Sequence, residues 1–327
     1  MSDESMALIE QFLGEAGEPQ PTEESLPMAE GHRSGFVALV GRPNVGKSTL
    51  VNALVGAKIA AVSPVAQTTR RRIMGILTTE AYQVIFIDTP GIHSKAKHKL
   101  NRRMVEEAVG AIPDADLILF VVDSSVPPRR EDERIAELLK AKANRRPVIF
   151  VLNKMDKLKM EEAEARIQAY WALYPDYADS IPVSALQGTN LGLLLKHIVE
   201  RLPEGPRYYP PGQITDQAER QIAAELIREA ILHRTREEVP HAVAVLVEEF
   251  QERPNGMLYI AATIWVEKES QKPILIGKGG RRLKAIGAAA RKSLERFLGS
   301  RVYLDLWVKV KPKWRDNESR LRELGLM

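Results

Sequence analysis

The chain has 327 residues, of which 44% are hydrophobic and 28% charged, and its formal net charge is +4. A chain of this length and composition can form two globular domains, each with a core of its own. The absence of cysteine excludes disulfides and thiolate metal sites and indicates a reducing compartment. No apolar run reaches the roughly 18 residues that cross a bilayer, so the sequence predicts a cytoplasmic protein.

The N-terminal segment differs in charge from the rest of the chain. Residues 1–30 carry eight acidic side chains and no Lys or Arg, so their net charge is −8 and that of the remainder is +12. An acidic start without arginine is unlike a secretory or mitochondrial targeting peptide. We expect residues 1–33 to be a disordered extension, and its role stays open.

Residues 34–203 alternate short apolar runs with helical patterns. The runs are rich in Val and Ile and largely continuous: FVALV, YQVIFID, DLILFVVD, RPVIFVLNK and SIPVSA. Continuous apolar strands are typical of a parallel sheet that is covered by helices on both faces. We therefore predict an α/β domain whose ligands bind beyond the carboxyl ends of the strands.

A second domain follows a predicted linker. The stretch LPEGPRYYPPGQ contains four prolines and two glycines, so we place the linker at residues 204–214. Residues 215–327 show the order α-β-β-α-α-β, with the alternating strands HAVAVLVEEF and GMLYIAATIWVEK. This order predicts a smaller α+β domain.

The stretch GRPNVGKST fits the pattern G-x-x-x-x-G-K-[ST] and lies between a predicted strand and a predicted helix. Gly41 and Gly46 allow a tight turn whose backbone N–H groups point at phosphate oxygens, and the helix adds its positive end. Lys47 can reach the β- and γ-phosphates, and the Ser48 hydroxyl can bind Mg²⁺. A strand-to-helix turn without a ligand is the alternative that this pattern alone leaves open.

A second candidate phosphate contact ends another predicted strand, in FIDTPG. Asp88 can hold Mg²⁺ through water, and the Gly91 N–H can meet the γ-phosphate. The next residue is Ile92, at the position where Ras-like enzymes carry a water-orienting Gln, so we expect slow intrinsic hydrolysis. A plain strand-terminating turn would explain the same residues without a ligand.

Two further side chains complete the predicted metal sites. In the loop KIAAVSPVAQTTRRRIMGI a hydroxyl should complete the Mg²⁺ shell when a γ-phosphate is present, and we choose Thr69, with Thr68 second. Asn44 in the phosphate loop is a candidate ligand of a monovalent cation, whose charge would act as an arginine finger does elsewhere. A polar loop without a metal contact is the plainer interpretation.

The stretch VLNKMD supplies the residues that choose the base. A carboxylate accepts two hydrogen bonds, and guanine offers two adjacent donors where adenine offers neither, so Asp156 predicts guanine specificity. Asn153 can tie this loop to the phosphate loop, and the stem of Lys154 can cover the base. The backbone of Ser184 and Ala185, after the next strand, can bind guanine O6.

Four such motifs in order, each at a predicted strand end, predict a GTP-binding domain. The predicted nucleotide contacts are Gly41, Asn44, Val45, Gly46, Lys47, Ser48, Thr49, Asp88, Asn153, Lys154, Asp156, Ser184, Ala185 and Leu186. We assign catalytic roles to Lys47, Thr69 and Gly91.

The stretch ILIGKGGRRLKAIG contains the G-x-x-G loop of KH domains between two helical patterns, and a helix–turn–helix is the alternative for the loop alone. Residues 277–315 carry twelve Lys and Arg against two acidic residues, which favours a polyanion partner. We assign Trp307 to the core and Trp314 to base stacking, with packing on the last strand as the alternative. The predicted RNA-binding residues are Gly277, Lys278, Gly279, Gly280, Arg281, Arg282, Lys284, Lys311, Lys313 and Trp314.

The chain resembles the Era family, bacterial KH-domain GTPases of the TrmE-Era-EngA-like superfamily that act in ribosome assembly. The resemblance covers residues 35–327 and is carried by GRPNVGKSTLVNAL, QTTRRRI, DTPGIH, NKMD and SA, then by ILIGKGGRRLKAIG, ARKSLE and LDLWVKVKPKWR. It implies a P-loop GTPase domain followed by a type II KH domain, slow GTP hydrolysis, and binding to the 3′ end of 16S rRNA and the 30S subunit. The site residues that it implies are Ser48 and Thr69 for Mg²⁺, Asn44 for K⁺, and Asn153, Lys154 and Asp156 for guanine.

Two other functions share parts of this pattern. A tRNA-modification GTPase has a similar nucleotide-binding domain but carries a C-terminal cysteine, and this chain has no cysteine and has a G-x-x-G loop. A membrane-associated signalling GTPase would carry a lipidation motif or a strongly amphipathic helix, and we find neither. The basic face favours at most weak peripheral contact with anionic lipid at the inner membrane. We expect a cytoplasmic monomer that uses GTP or GDP with Mg²⁺.

Overall fold

The computed structural model describes residues 27–92, 98–237 and 239–327. Most of the predicted acidic extension therefore lies outside the described residues. The chain divides into two compact units. The first unit is made of residues 27–57, 72–92 and 106–216. The second unit is made of residues 58–71, 98–105, 217–237 and 239–327. None of the helices in these ranges has the length and apolarity needed to cross a lipid bilayer.

The first unit is built on a six-stranded sheet in the spatial order β2-β3-β1-β4-β5-β6. Its strands are β1 (Arg33–Val40), β2 (Ile73–Thr78), β3 (Tyr82–Asp88), β4 (Leu117–Asp123), β5 (Val148–Asn153) and β6 (Asp179–Pro182). The β2–β3 pair is antiparallel, and the other pairs are parallel. Its helices are α1 (Lys47–Val55), α2 (Lys99–Asp114), α3 (Arg130–Lys142), α4 (Met160–Trp171) and α5 (Leu191–Arg201). The start of α2, up to residue 105, is grouped with the second unit.

Continuous apolar sequence explains this sheet. Every residue of β3, β4 and β5 is buried, as expected for parallel strands that are covered on both faces. Phe120 and Phe150 stack in the core with their ring centroids 4.9 Å apart, beside Ile135 and Leu139 of α3. The prediction of an α/β domain with a mostly parallel sheet is confirmed. Because β1, β3, β4 and β5 are parallel, their carboxyl ends, which carry the predicted motifs, lie at one edge of the sheet.

The stretch that we predicted as a linker is hydrogen-bonded to the first unit. The Ser34 hydroxyl donates to the carbonyl oxygen of Pro206 at 2.7 Å. The Gln83 amide bonds the backbone of Tyr209 twice, donating to its carbonyl oxygen at 2.8 Å and accepting from its N–H at 3.0 Å. Gln83 is fully buried, so its amide needs these partners. The proline-rich stretch is thus a packed part of the first unit.

The second unit has a three-stranded sheet in the order β7-β8-β9. Strands β7 (Ala244–Glu252) and β8 (Leu258–Val266) are antiparallel, and β9 (Val302–Val310) is parallel to β8. Its helices are α6 (Glu219–Leu232), α7 (Val239–Ala242), α8 (Gln271–Ile276), α9 (Arg281–Leu298) and α10 (Glu318–Glu323). The predicted order α-β-β-α-α-β is confirmed, and the short helices α7 and α10 are added to it.

The core of the second unit lies between its sheet and two of its helices. In α9 the buried residues Ile286, Ala290 and Leu294 recur every four positions, so they form one apolar face. This face is in one cluster with Leu226 of α6 and Ile264 of β8. The amphipathic pattern of α9 therefore leaves its basic residues on the opposite, exposed face.

The expectation that Trp307 belongs to the core is wrong. In β9, Val302 and Val308 are buried, whereas Tyr303 and Trp307 are 52% and 61% exposed. Successive side chains of a strand point to opposite faces, so the even-numbered residues of β9 face the core. Trp307 is odd-numbered and shares the outer face with Tyr303. Apolar neighbours in sequence did not indicate burial here, because they lie on the other face of the strand.

Candidate nucleotide site and nucleic-acid interface

The phosphate loop follows β1 and has a left-handed backbone at Asn44 (φ 64°) and Gly46 (φ 101°). Glycine adopts this conformation without strain, and Asn tolerates it better than most residues. A Cβ atom on Gly41 would lie 2.3 Å from the carbonyl oxygen of Val121 in β4, so glycine is required there. The two glycines of the motif thus shape the loop, one by its conformation and one by a close approach to the next strand.

Lys47 begins α1 and is buried. Its ammonium donates to the carbonyl oxygens of Gly41 at 2.9 Å and of Arg42 at 3.1 Å. Burial lowers the pKa of Lys47 to about 8, and the nearby carboxylate of Asp88 only partly offsets this. A phosphate beside the ammonium would favour its charged form. The geometry therefore suits a lysine that binds phosphate.

The Ser48 hydroxyl donates to the carboxylate of Asp88 at 2.6 Å. Asp88 is fully buried at the end of β3, and Ser48 lies in the first turn of α1, so a strand and a helix hold two hard oxygen ligands at one point. Mg²⁺ prefers such oxygens and keeps several waters of its own. Ser48 and Asp88 fit the predicted Mg²⁺ site. The half-buried Thr49 follows Ser48 in α1.

Gly91 lies directly against the phosphate loop. A Cβ atom there would lie 2.6 Å from both the nitrogen and the Cα of Pro43. The backbone N–H of the next residue, Ile92, donates to the carbonyl oxygen of Gly41 at 3.4 Å. The side chain of Ile92 packs against the apolar core of the first unit. It offers no hydrogen bond to a water, in contrast to the Gln that other GTPases use.

Asn153 joins three parts of the site. Its amide nitrogen donates to the carbonyl oxygen of Val45 at 2.8 Å, and its amide oxygen accepts from the N–H of Ala185 at 3.0 Å. A Cβ atom on Gly46 would lie 2.3 Å from the same amide nitrogen. The side chain therefore ties the phosphate loop to both predicted guanine-binding stretches, which is the role that we predicted for it.

Lys154 has a left-handed backbone (φ 67°) at the turn after β5. Its ammonium donates to the carbonyl oxygen of Asn44 and to the carboxylate of Asp123, both at 2.6 Å. Burial raises the pKa of Asp123, but hydrogen bonds from Lys154 and Ser125 outweigh it and hold that pKa below its ordinary value. Our sequence analysis missed Asp123. The signal that could have found it is a charged residue that ends the buried strand DLILFVVD.

Arg42 and Asp132 are a second pair that the sequence analysis missed. The Arg42 Nε donates to the Asp132 carboxylate at 3.1 Å, and Arg42 also lies 3.7 Å from the Asp123 carboxylate. Arg42 and Asp132 are both buried, so each needs the other's charge. They fix the phosphate loop to α3. The two residues are 90 positions apart, and no sequence spacing indicates their contact.

Asp156 lies in the 3₁₀ turn Met155–Lys157 after β5 and is exposed. Its carboxylate accepts a hydrogen bond from the Ser184 hydroxyl at 2.6 Å, which fixes its orientation. An oriented, solvent-accessible carboxylate can accept the two adjacent donors of guanine. The Ala185 N–H is bonded to Asn153, and the following residue, Leu186, is 75% exposed.

Thr68 and Thr69 are grouped with the second unit, whereas the other predicted nucleotide-binding residues belong to the first. Both threonines are buried. The Thr68 hydroxyl donates to the carbonyl oxygen of Val65 at 2.7 Å, and Arg228 of α6 donates to the Thr68 carbonyl oxygen. Residues 58–71 thus have defined contacts within the second unit. A role for either threonine at Mg²⁺ stays a prediction.

The predicted G-x-x-G loop lies between α8 and α9, and its backbone has positive φ at Gly277 (73°), Gly279 (59°) and Gly280 (76°). A Cβ atom on Gly277 would lie 2.8 Å from the Cβ of Arg282, so this glycine allows a close packing contact. Apart from the residues next to each of them in the chain and nearby helix backbone, no atom of the described residues lies within 4 Å of a Cβ built on Gly279 or Gly280. Their backbone is therefore open, beside the exposed Lys278. A sugar–phosphate chain can approach such a backbone closely.

The predicted RNA-binding cations are accessible to solvent. The exposed ones are Lys278, Arg281, Arg282, Lys284 and Lys313. Lys311 is half-buried, and its ammonium lies 5.5 Å from the centre of the Trp265 ring. Exposed cations on one strand end and one helix start provide the positive surface that a polyanion needs.

Trp314 has no free face for a base, so the expectation of stacking is wrong. The residue is fully buried, and its indole N–H donates to the carbonyl oxygen of Ala242 at 2.8 Å. The guanidinium of Arg70 lies 5.5 Å from its ring centre, and Trp265 is in the same apolar cluster. The side chain therefore packs within the domain, but the alternative of packing on the last strand is not what the structure shows. Among the described residues its apolar cluster includes Trp265 of β8 and none of β9. Exposed aromatic rings on this unit's sheet are those of Tyr303 and Trp307.

Comparison with known proteins agrees with this geometry. A family model described as 50S ribosome-binding GTPase matches residues 36–154, and a KH domain model matches residues 238–315. The chain is 51% identical to GTPase Era of Heliobacterium modesticaldum over 293 residues, which are 90% of this chain and 97% of that protein.

Two solved structures are similar over nearly the same share of the chain. One is Era in complex with MgGDPNP and nucleotides 1506–1542 of 16S ribosomal RNA, at 43% identity and a TM-score of 0.85. The match covers 90% of this chain and 99% of the Era chain in that structure. The other is a single-residue variant of Aquifex aeolicus Era bound to GDP and AlF4⁻, at 42% identity and a TM-score of 0.84, with the same coverage. The loop geometry, the two domain matches and the identity over 90% of the chain lead to one conclusion, that this protein belongs to the Era family of GTPases.

Proposed function

We propose that this GTPase binds the 3′ end of 16S rRNA with its second unit and acts on the 30S subunit during small-subunit assembly. GTP hydrolysis would reset its affinity for the RNA. The observation that carries the proposal is the open backbone at Gly279 and Gly280 beside exposed cations. The first unit of the same chain brings the phosphate loop and the Asn153–Asp156 turn together. The Era protein that was solved with the 3′-terminal nucleotides of 16S rRNA supports the choice of RNA.

In the proposed nucleotide complex, GTP or GDP lies across the edge where the predicted motifs meet. Lys47 neutralises the β- and γ-phosphates, and the N–H groups of the phosphate loop bind their oxygens. Asp156 accepts the N1–H and the 2-amino group of guanine, because its carboxylate is already oriented by Ser184. The stem of Lys154 covers the base, and the N–H of Leu186 is the donor to O6.

Ser48 and Asp88 are the proposed holders of Mg²⁺, the serine directly and the aspartate through water. The bound ion would supply positive charge to the phosphate oxygens. Thr69 is the proposed third ligand when a γ-phosphate is present, and the Gly91 N–H would then contact that phosphate. Asn44 is the proposed K⁺ ligand.

On the RNA side, the G-x-x-G loop would clamp about four backbone nucleotides of single-stranded RNA. The ammonium of Lys278 would contact the RNA phosphates. The cations at the start of α9, together with Lys311 and Lys313, would contribute further positive charge to the same surface. If about four phosphates are neutralised, the logarithm of the affinity falls with the logarithm of salt concentration at a slope near −3. The protein would act in the cytoplasm as a monomer, with at most weak contact to anionic membranes.

The test is a charge change in the loop. Lys278→Asp with Gly279→Asp places two carboxylates against phosphates, and Asp tolerates the positive φ of Gly279 better than most residues. We expect binding to an oligonucleotide of the 16S rRNA 3′ end to weaken by about 100-fold or more, and GDP binding to be unchanged. The control is Lys140→Asp with Ala141→Asp, which makes the same change in charge on exposed residues of α3 in the first unit.

Full RNA affinity in the loop variant, with its fold confirmed by circular dichroism, would contradict the RNA proposal. Co-sedimentation of the native chain with 30S subunits, in GTP and in GDP, tests the switch itself. Equal co-sedimentation in both nucleotides would leave RNA binding intact but would contradict its control by GTP. Binding to anionic vesicles without 30S binding would favour a membrane-associated GTPase instead.

A further inference from the structure

A cavity of about 270 Å³ lies within the second unit, and no residue of the G-x-x-G loop lines it. Its walls come from α6, β7, the stretch 58–71 and the C-terminal residues around α10. The arginines that line it are Arg70, Arg71, Arg220, Arg228 and Arg322. Its acidic residues are Glu225 and Glu323. Five guanidinium groups around one small cavity repel each other, so this arrangement needs compensating negative charge.

Two of these arginines are buried, Arg70 at 6% and Arg228 at 2% exposure. Arg228 forms an ion pair with Glu225, its Nε donating at 3.1 Å, and its Nη2 also bonds the Thr68 carbonyl oxygen. Its Nη1 is buried and has no hydrogen-bond partner in the part of the chain that the structure describes. Arg70 donates to backbone carbonyl oxygens, the nearest being that of Val243 at 2.7 Å. Glu225 is thus the acidic group that balances the buried part of this cluster.

The buried guanidinium of Arg70 is repelled by its basic neighbours. Burial and, after it, repulsion by Arg228 lower the pKa of Arg70 to about 9, because Glu225 offsets only part of their effect. At the rim, Glu323 is already paired with Arg320 at 3.0 Å. Buried charge without a counter-charge is costly, so a bound anion would stabilise this cluster.

We propose that this cavity binds a small phosphorylated ligand through its terminal phosphate or pyrophosphate group. Planar guanidinium groups recognise phosphate through paired, charge-assisted hydrogen bonds, and arginine is enriched at such sites. One water needs about 10–15 Å³ of such cavity volume, so a cavity of about 270 Å³ has room for a pyrophosphate group. Apolar side chains such as Val245 and Leu324 line the rest of it and can pack against an attached organic group.

The charge of the cavity favours such a ligand over an RNA backbone. Its five arginines and two glutamates sum to +3, which a pyrophosphate group at one point can match. A phosphodiester backbone carries one charge per nucleotide and would bring a single charge to a cavity of this size. Because Arg70 and Arg71 belong to the stretch 58–71, the bound anion would also hold this stretch more firmly on α6.

Inorganic pyrophosphate is the probe, titrated into the full chain that is saturated with GDP, so that the phosphate loop is occupied. We expect calorimetry to show one pyrophosphate site. The charge reversal Arg220→Glu with Arg322→Glu, at two exposed rim positions, should weaken it by about tenfold or more. The control Lys292→Glu with Arg301→Glu makes the same charge change on exposed residues outside the cavity and should leave the affinity within about twofold.

Hydrogen exchange of the native chain gives a measurement that needs no variant. Pyrophosphate should slow exchange in residues 58–71 and at the start of α6. Absence of both heat and protection would overturn the proposal, as would equal weakening in the rim and control variants. If the rim variant loses affinity for the 16S rRNA oligonucleotide while the native chain binds no pyrophosphate, the cavity is part of an RNA surface and the proposal is wrong. The proposed RNA function would survive each of these results.

Discussion

The replacement Asn153→Ala tests how the nucleotide site is held together. It removes an amide that donates to the Val45 carbonyl and accepts from the Ala185 N–H, and both of these backbone groups belong to buried residues. A buried group left without a partner costs about 1–3 kcal/mol, so two such groups should cost the first unit about 2–6 kcal/mol. GDP affinity should fall as well, because the phosphate loop and the guanine-binding turn are no longer joined.

A second replacement makes the test specific to this contact. Gly46→Ala would place a Cβ atom 2.3 Å from the Asn153 amide nitrogen, at a backbone φ of 101°. In the native background this adds a clash to the backbone strain. In the Asn153→Ala background only the strain remains, so the two costs should not add, and the double-mutant cycle should show a coupling of about 1 kcal/mol or more.

Hydrogen exchange in the buried strands β4 and β5 is a suitable assay, because it reports the unfolding free energy of the first unit alone. We expect exchange to become about 30-fold faster or more in Asn153→Ala, since each 1.4 kcal/mol is tenfold. Binding of a fluorescent GDP analogue gives the second readout. Unchanged hydrogen exchange together with unchanged GDP affinity in Asn153→Ala would contradict the proposed role of Asn153 in joining the site. Strict additivity of Asn153→Ala and Gly46→Ala would show that the Asn153 amide does not limit the space at Gly46.

Three further predictions concern the nucleotide and its surroundings. Asp156→Asn should weaken GTP binding by about 100-fold or more and favour xanthosine triphosphate, because the NH₂ of the new Asn side chain then meets the 2-carbonyl group of xanthine. Competition binding checks this, and a retained preference for guanine over xanthine would contradict it. GTP hydrolysis should be faster in K⁺ than in Na⁺, and Asn44→Ala should remove this difference in rate. Equal rates of the native protein in the two salts would exclude a role of the cation in hydrolysis. Asp123 has a lowered pKa, so its ionised form stabilises the fold above a pH of about 4 and this contribution is lost as pH falls further. Denaturation of Asp123→Asn should therefore show a loss of stability at pH 7 that shrinks as the pH falls below about 4. A constant difference at all pH values would argue against the ion pair with Lys154.

Much of the nucleotide site could be predicted because its residues follow strands that a local pattern identifies. A continuous apolar run predicts a buried parallel strand, and the residue after it must lie at the sheet edge where ligands bind. Asp88 and Asn153 were found in this way. Asp123 ends such a strand too, and it was missed because no motif drew attention to it. The pair of Arg42 with Asp132 joins residues far apart in the chain, and no local pattern contains that information.

The aromatic residues of the second unit show a different limit. Trp307 and Trp314 are both near apolar and basic residues, and the sequence analysis assigned each to the environment of the other. Strand parity would have placed Trp307 on the outer face, so this error was avoidable. Trp314 was not predictable in the same way. Its burial depends on contacts with Ala242 and Arg70, which approach it from distant parts of the chain.

The run Arg70-Arg71-Arg72 shows why composition alone describes a basic stretch poorly. Three consecutive arginines are most simply interpreted as a solvated, RNA-binding face. Arg70 is instead buried in the second unit against the Val243 carbonyl, whereas Arg72 belongs to the first unit and forms a half-exposed pair with Asp114 at 3.3 Å. An exposed pair contributes about 0–1 kcal/mol, but a buried guanidinium that loses its partners costs several times more. The boundary between the two units therefore falls inside a single basic run. Within this run, the guanidinium of Arg70 is packed inside the second unit. On our proposal, Arg70 and Arg71 also bind the anion.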